Sequence, residues 1–486
     1  MTTQYRLFAT APKYLEELLG QELQSFGAHA VKSTVGGVYF EGDLRCAYRA
    51  CLWSRIANRI LLPLSLFTAH DGDELYQGVQ DIDWSEHFTP AQTIAVDCNV
   101  SNSQLTHSHY CALRVKDAIV DQFMERTGER PNVDTDIPDI RINCFIKHDS
   151  ASISIDLSGP SLHQRGYRLQ GVAAPLKENL AAAILLRANW RDIARDGGSF
   201  IDPLCGSGTL AIEAAMIAAD IAPGLLRPYY GFNAWRKHDV WLWQNLVDEA
   251  RQRKQQGLTK LPLILGYDKD RHAVDSARGN ARRAGLEDYI VFSQCEVNYL
   301  IRPKQAHTGL VVTNPPYGER LGNAAQLPRL YQQLGDCLKT QFPGWRAAVI
   351  TSDKTLGKAI GIRAQRIHKL LNGALECQLL HFSIEPQWFM HFNATADTSI
   401  DDKAQQSDAT APRDNSLANS EGAQMFANRL RKNLKSLSRW RTQNDIHCYR
   451  LYDADMPEYA LAIDVYQGKQ TWVNVQEYAA HSPRFV

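Results

Sequence analysis

The run Phe200-Ile-Asp-Pro-Leu-Cys-Gly-Ser-Gly-Thr-Leu-Ala-Ile-Glu-Ala-Ala-Met216 constrains this chain more than any other stretch. A short apolar segment enters a glycine turn and leaves as a helix with almost no polar face. Such a helix must lie against a sheet. Gly206 and Gly208 allow a tight turn and let a ligand approach the backbone closely. In an open parallel sheet, ligands sit at the carboxyl ends of the strands, where this turn falls. The third glycine of a dinucleotide fingerprint is absent from residues 209–212, and no Lys-Ser/Thr follows, so a triphosphate cradle is excluded.

The surroundings fit that reading. Residues 199–201, 263–267, 289–292, 310–313 and 347–351 are short apolar runs separated by helical stretches, the pattern of a parallel sheet with crossover helices. One such helix, 272–284, puts Val274, Ala277, Ala281 and Ala284 on one face and stops at Gly285. Asn372-Gly373 between two β-rich runs predicts an antiparallel pair closing the sheet. Upstream, residues 1–42 read as strand, helix and hairpin: a strand at 5–10, a helix after Pro12 with Leu15, Leu18, Leu19 and Phe26 on one face, and a turn at Gly36-Gly37. Residues 43–155 continue in mixed α+β style and end in two β-rich runs split at His148-Asp149-Ser150. A catalytic part is expected over 156–393. Residues 394–422 lack aromatics and are rich in Ser, Thr, Asp, Gln, Asn and Ala, so they read as a disordered linker. Residues 423–486 hold a basic amphipathic helix, with Phe426, Leu430, Leu434, Leu437 and Trp440 on one stripe, and a small β-rich module.

Lys plus Arg and Asp plus Glu both number 53, so any anionic partner must be held by local basic patches. No apolar run approaches the ~20 residues of a membrane span, and the N-terminus lacks a signal-peptide core, which predicts a soluble, cytoplasmic protein. The 10 cysteines include no C-x-x-C pair; reduced thiols and no metal site are expected.

Three further features carry chemistry. Asp268 ends the strand after the glycine turn, where a carboxylate can accept two hydrogen bonds from a ribose diol. Glu296, after the next strand, either reaches an adenine edge or is an ordinary exposed glutamate. The fourth strand runs into Asn314-Pro315-Pro316-Tyr317. A ring-conjugated amine is a poor nucleophile because its lone pair is delocalised. The Asn314 amide oxygen and the Pro315 carbonyl can accept both amine hydrogens and aim the lone pair at an electrophile. The prolines stiffen the corner, and Tyr317 offers a face on which a base can stack.

The pair D-P-x-C-G-S-G-T at 202–209 and N-P-P-Y at 314–317 resembles the class I AdoMet-dependent methyltransferases that modify exocyclic amines. Residues 43–155, with L-Y-Q-G-V-Q-D-I-D-W at 75–84, resemble a THUMP domain, an RNA-binding module. The joint at 156–179 and the insert at 222–250 extend the similarity to the guanine-N2 half of the bacterial bifunctional 23S rRNA guanine-N2/guanine-N7 methyltransferases, over roughly residues 1–393. The resemblance implies an α/β Rossmann-like sheet behind an N-terminal ferredoxin-like and THUMP region. It implies AdoMet held by Asp202, Cys205, Gly206, Gly208, Thr209, Asp268, Glu296 and Asn314, and methylation of a flipped guanine N2 in large-subunit rRNA at Asn314, Pro315, Pro316 and Tyr317. In that family a guanine-N7 methyltransferase follows the linker. Here only its opening module is present before Val486, so N7 activity is expected to be missing.

RNA contacts are expected from Arg141, Arg165, Arg168 and Lys177, and from Arg431, Lys432 and Lys435 on the basic helix. Trp235, Trp241 and Trp243 either border the base pocket or pack in the core. Three functions stay open: rRNA guanine-N2 methylation, methylation of tRNA guanine N2 or another amine, and a non-catalytic RNA-binding assembly factor.

Overall fold

The computed structural model describes residues 3–168, 176–316, 326–390, 421–444, 447–453, 459, 461–467 and 471–477. Two compact units emerge, residues 1–393 and 394–486. Residues 394–420 of the expected linker and Tyr317 lie outside the described residues, whereas Glu421 and Gly422, expected in the linker, already belong to a helix.

The first half of unit one contains β1 (Tyr5–Thr10), α1 (Glu16–Ser25), β2 (His29–Thr34), β3 (Gly37–Gly42), α2 (Leu44–Trp53), β4 (Arg59–Thr68), α3 (Gly72–Gln80), β5 (Ile94–Ser101), α4 (Ser108–Thr127), β6 (Ile140–Lys147) and β7 (Ser150–Asp156). The strands form one seven-stranded sheet, β2-β3-β1-β4-β7-β6-β5, in which only β5 and β6 pair in parallel. β1 pairs with β4 across the expected boundary at residue 42, so one sheet serves both N-terminal parts.

The second half contains α5 (Glu178–Arg187), α6 (Trp190–Arg195), β8 (Ser199–Asp202), α7 (Thr209–Ala218), α8 (Val240–Leu258), β9 (Ile264–Asp268), α9 (Arg271–Arg283), β10 (Ile290–Gln294), β11 (Gly309–Thr313), α10 (Leu327–Gln341), β12 (Arg346–Thr351), α11 (Lys354–Ala359), β13 (Arg366–Asn372) and β14 (Leu375–Ser383). Their sheet runs β10-β9-β8-β11-β12-β14-β13, parallel as far as β12, with the β13–β14 hairpin antiparallel at the edge. Strand alternation divides the core. Phe200 and Ile264 join the apolar mass that continues through α5 and α7 into the first sheet, whereas Ile201 and Leu265 pack with α10 on the other face. In α7 every residue from Thr209 to Ile217 is buried, as its lack of a polar face requires.

The joint is held by side chains that reach carbonyls. Arg227 donates to the carbonyls of Ser158, Pro160, Ser161 and Gln164. The Tyr229 hydroxyl donates to the Asp139 carbonyl at 2.6 Å, and the Asp239 amide donates to the Tyr48 hydroxyl at 2.9 Å. Trp235 is buried and bonds His87, and Trp243 packs on Phe232 and Tyr48, so these two belong to the core; Trp241 is 82% exposed.

Unit two consists of α12 (Glu421–Asn444) and the antiparallel meander β15 (Cys448–Asp453), β16 (Leu461–Gln467) and β17 (Thr471–Glu477). Phe426, Leu430 and Leu437 pack on the meander. Leu434 is 40% exposed, a departure from the predicted stripe; Asn433 beside it donates to the Leu451 carbonyl. Among the described residues no helix is long and apolar enough to cross a membrane.

Candidate active site

β8 is the point at which the strand order reverses: β9 and β10 lie to one side of it, β11 and β12 to the other. The loops after β8 and β11 therefore diverge and leave a crevice between them, the place where open α/β sheets bind ligands. Register brings four strand ends together. Asp202 is opposite Gly266, Val311 is opposite Ile201, and Gln294 is opposite Asp268. The glycine turn, Asp268, Glu296 and Asn314 thus share one carboxyl edge.

The turn is built for close approach. Gly206 has φ +51° and an added Cβ would meet nothing within 4 Å. Gly208 has φ +81°, and a Cβ there would lie 2.9 Å from both Ala277 Cβ and the Phe292 ring. The Cys205 amide donates to the Tyr267 carbonyl at 2.7 Å, and the Gly206 amide donates to Asp268 Oδ2 at 2.9 Å. Asp268 Oδ1 accepts from the Asp270 amide at 3.0 Å, so this carboxylate braces the loop it faces. Thr209 starts α7, and its hydroxyl accepts from Arg168. Cys205 is buried, and burial pushes its thiol pKa well up, so it stays protonated. Glu296 is exposed, at the start of a short turn.

Two buried groups in the crevice stand out: an acceptor without a donor and an acid without a cation, among the described residues. Asn314 Oδ1 is buried and accepts no hydrogen bond among the described residues, while Pro315 beside it is buried and Pro316 half-buried. Asp202 is 1% exposed and accepts from the Leu204 amide at 3.1 Å; among the described residues no cation pairs with it. Burial raises its pKa from 3.8 to about 7.

The expected RNA contacts fare differently. Arg165 is 1% exposed; it donates to the Leu162 and Arg55 carbonyls and lies 3.6 Å from Glu213 of α7. It is a core residue, and the expectation of phosphate contact is withdrawn. Arg141 is half-buried, pairs with Asp97 and donates to the Thr135 carbonyl. Arg168 lies 3.8 Å from Glu178, and Lys177 is exposed. Arg431, Lys432 and Lys435 are exposed on α12. Arg227 and Glu213 escaped sequence reading. Pro223 and Pro228 mark an irregular loop around Arg227, but nothing in the string shows which carbonyls its guanidinium meets.

The family described as RMKL-like, methyltransferase domain, matches residues 165–381; the THUMP domain matches 69–156 and the RlmL ferredoxin-like domain 6–61. SMU.472, solved in complex with SAH, is 32% identical, superposes with a TM-score of 0.70 and is matched over 99% of its length by 79% of this chain. The chain belongs to the RMKL-like methyltransferase family. Two curated relatives of this RMKL-like methyltransferase, both named ribosomal RNA large subunit methyltransferase K/L, come from Syntrophotalea carbinolica and Methylococcus capsulatus. They are 53% and 52% identical over 99% and 97% of the chain, which spans 64% of the length of each. TrmN from Thermus thermophilus, 19% identical with a TM-score of 0.56, shares the fold.

AdoMet is the cofactor of this methyltransferase class. The crevice fits it: Gly206 and Gly208 leave the turn backbone bare, β9 ends in a carboxylate, and Asp202 is a buried acid with no cation beside it among the described residues. A cationic cofactor held beside Asp202 would favour its ionised form, and binding below about pH 7 would then release a proton. AdoMet affinity is expected to tighten about tenfold between about pH 6 and 8, and Asp202→Asn to flatten that dependence, by calorimetry. The stability effect has the opposite sense. With its folded pKa above the unfolded value, protonated Asp202 favours the folded chain, and stability falls as pH rises from 3.8 to about 7. Gly208→Ala should weaken AdoMet binding about 5- to 150-fold, from ~1–3 kcal/mol of strain at a positive φ, measured by the same titration.

Proposed function

We propose that the chain transfers a methyl group from AdoMet to the exocyclic N2 amine of a guanine extruded from 23S rRNA. The observation that carries this reading is the buried Asn314 Oδ1, which has no partner among the described residues and lies at the same carboxyl edge of the sheet as the glycine turn. A buried acceptor without a donor costs about 1–3 kcal/mol, and the amine hydrogen offsets that cost chiefly in the transition state, as positive charge develops on the nitrogen. AdoMet supplies the electrophilic methyl. Asn314 Oδ1 and the Pro315 carbonyl accept the two N2 hydrogens, turning the nitrogen lone pair towards the crevice. Pro315 and Pro316 hold both acceptors without reorganisation, and Tyr317 is assigned the stacking face. Alignment supplies most of the acceleration, and the amine sheds its proton after attack. Base extrusion costs a few kcal/mol, which RNA contacts elsewhere must offset.

The THUMP match supports RNA as the partner, and the relatives' names support the large-subunit rRNA. Arg168, Lys177 and the α12 cations Arg431, Lys432 and Lys435 are assigned to phosphates, Glu296 to the adenine edge, and Asp268 to the ribose. Incubating unmodified 23S rRNA and tRNA separately with methyl-labelled AdoMet, then mapping nucleosides, tests the proposal. N2-methylguanosine in 23S rRNA alone is expected. Label in tRNA or on adenine N6 would redirect it, and no transfer to any RNA would refute it.

A further inference from the structure

A concave cavity of about 500 Å³ opens beside the joint, between the loop after β7 and the loop before α8. Three of its walls are flat and apolar: Pro160, Pro228 and Tyr229. The Tyr229 ring is fixed, because its hydroxyl is spent on the Asp139 carbonyl. The polar lining is basic, with Lys177, Arg168 and Arg227 around His163. Glu178 is the acid in that lining, and it is buried against Arg168. Lys177 is exposed and pairs with no carboxylate among the described residues. Burial, and after it the nearby Lys177, Arg165, Arg168 and Arg227, holds the His163 imidazole down at about pKa 4.

The cavity is not an isolated surface dent. Arg168, which lines it, donates to Thr209 in the glycine turn, so one side chain separates it from the cofactor crevice. Its size suits a small organic ligand better than a bare ion, and its flat apolar walls suit a base. Cations on one side suit a phosphate.

We infer that this cavity seats a second nucleotide of the RNA substrate, adjoining the methylated guanine, with its phosphate at Lys177 and its base against Pro160, Pro228 and Tyr229. The inference rests on the RNA reading above and adds a recognition subsite outside the reacting pocket. Capturing a neighbour would help hold the target base out of its stack and let the enzyme sense more than one base.

The test uses the full chain and a protein-free 23S rRNA transcript, with Lys177→Gln, Lys177→Arg and Pro228→Glu. Lys177 makes no side-chain cap to α5, and Pro228 is exposed, so neither change removes a packed group. Binding is measured over a series of KCl concentrations, SAH binding in parallel, and methylation in the same samples. Losing one phosphate contact should reduce the slope of log affinity against log salt by about 0.7–0.9 in Lys177→Gln, with Kd raised about three- to tenfold. Lys177→Arg should keep the wild-type slope, Pro228→Glu should weaken binding in the same direction, and SAH affinity should stay unchanged. Wild-type slopes and affinities in both Lys177→Gln and Pro228→Glu would overturn the subsite. Absence of wild-type methylation would instead refute the rRNA reading, which the binding series does not depend on.

Discussion

Asn314→Ala is expected to lower the single-turnover methylation rate about 10²- to 10³-fold, while the Kd values for RNA and SAH stay within about twofold. The size follows from what the side chain does. Its oxygen is already buried and has no partner among the described residues, so it needs no desolvation when the amine arrives. Loss of a preorganised acceptor costs far more in the transition state than in ground-state binding, because positive charge develops on the attacking nitrogen. The flanking prolines keep the backbone in place when the side chain is cut back, so the Pro315 carbonyl still accepts one hydrogen and the residual rate reports that half of the grip. Single-turnover kinetics at saturating AdoMet isolate the chemical step. A variant retaining a third of the wild-type rate would dismiss Asn314 as the amine acceptor.

Arg165→Ala should cost about 3–5 kcal/mol of stability, a large share of the ~5–15 kcal/mol that holds a domain together. The guanidinium is 1% exposed and serves three partners: the carbonyls of Leu162 and Arg55, and Glu213. Removing it leaves Glu213, at 0% exposure, with the Tyr167 hydroxyl at 3.1 Å and the Arg55 charge nearby. It also strips two buried carbonyls of their donor. Urea unfolding is the measurement, with a lower midpoint at unchanged slope expected. The double variant Arg165→Met, Glu213→Leu should regain much of the loss, since a buried pair replaced by apolar groups of similar volume is often neutral. A cost under about 1 kcal/mol for Arg165→Ala would show that Glu213 is neutralised by other means.

This residue also shows where reading the string fails. Arg165 lies in residues 157–168, a segment without helical or strand period, where a basic residue looks like a solvated one. The same holds for Arg227, whose four carbonyl partners come from that segment. Long guanidinium arms in irregular loops take their partners from whatever the fold brings near, and periodicity carries no trace of that. Leu434 failed for a related reason: the meander that α12 covers has three strands among the described residues, and it buries only part of the stripe.

Local patterns fared better where geometry is forced. The glycine turn needs positive φ at positions 206 and 208, an uninterrupted apolar helix must be buried, and Asn372-Gly373 must turn. These requirements act within a few residues, so the order of letters alone settled the strand–turn–helix unit, the proline corner and the edge hairpin. Which strand ends meet, which acid is driven to a pKa of about 7, and which arginine is core rather than surface depend on groups a hundred or more positions apart. Only closure of the two sheets around a shared core brought those groups together, because burial and electrostatic fields are properties of distance in space.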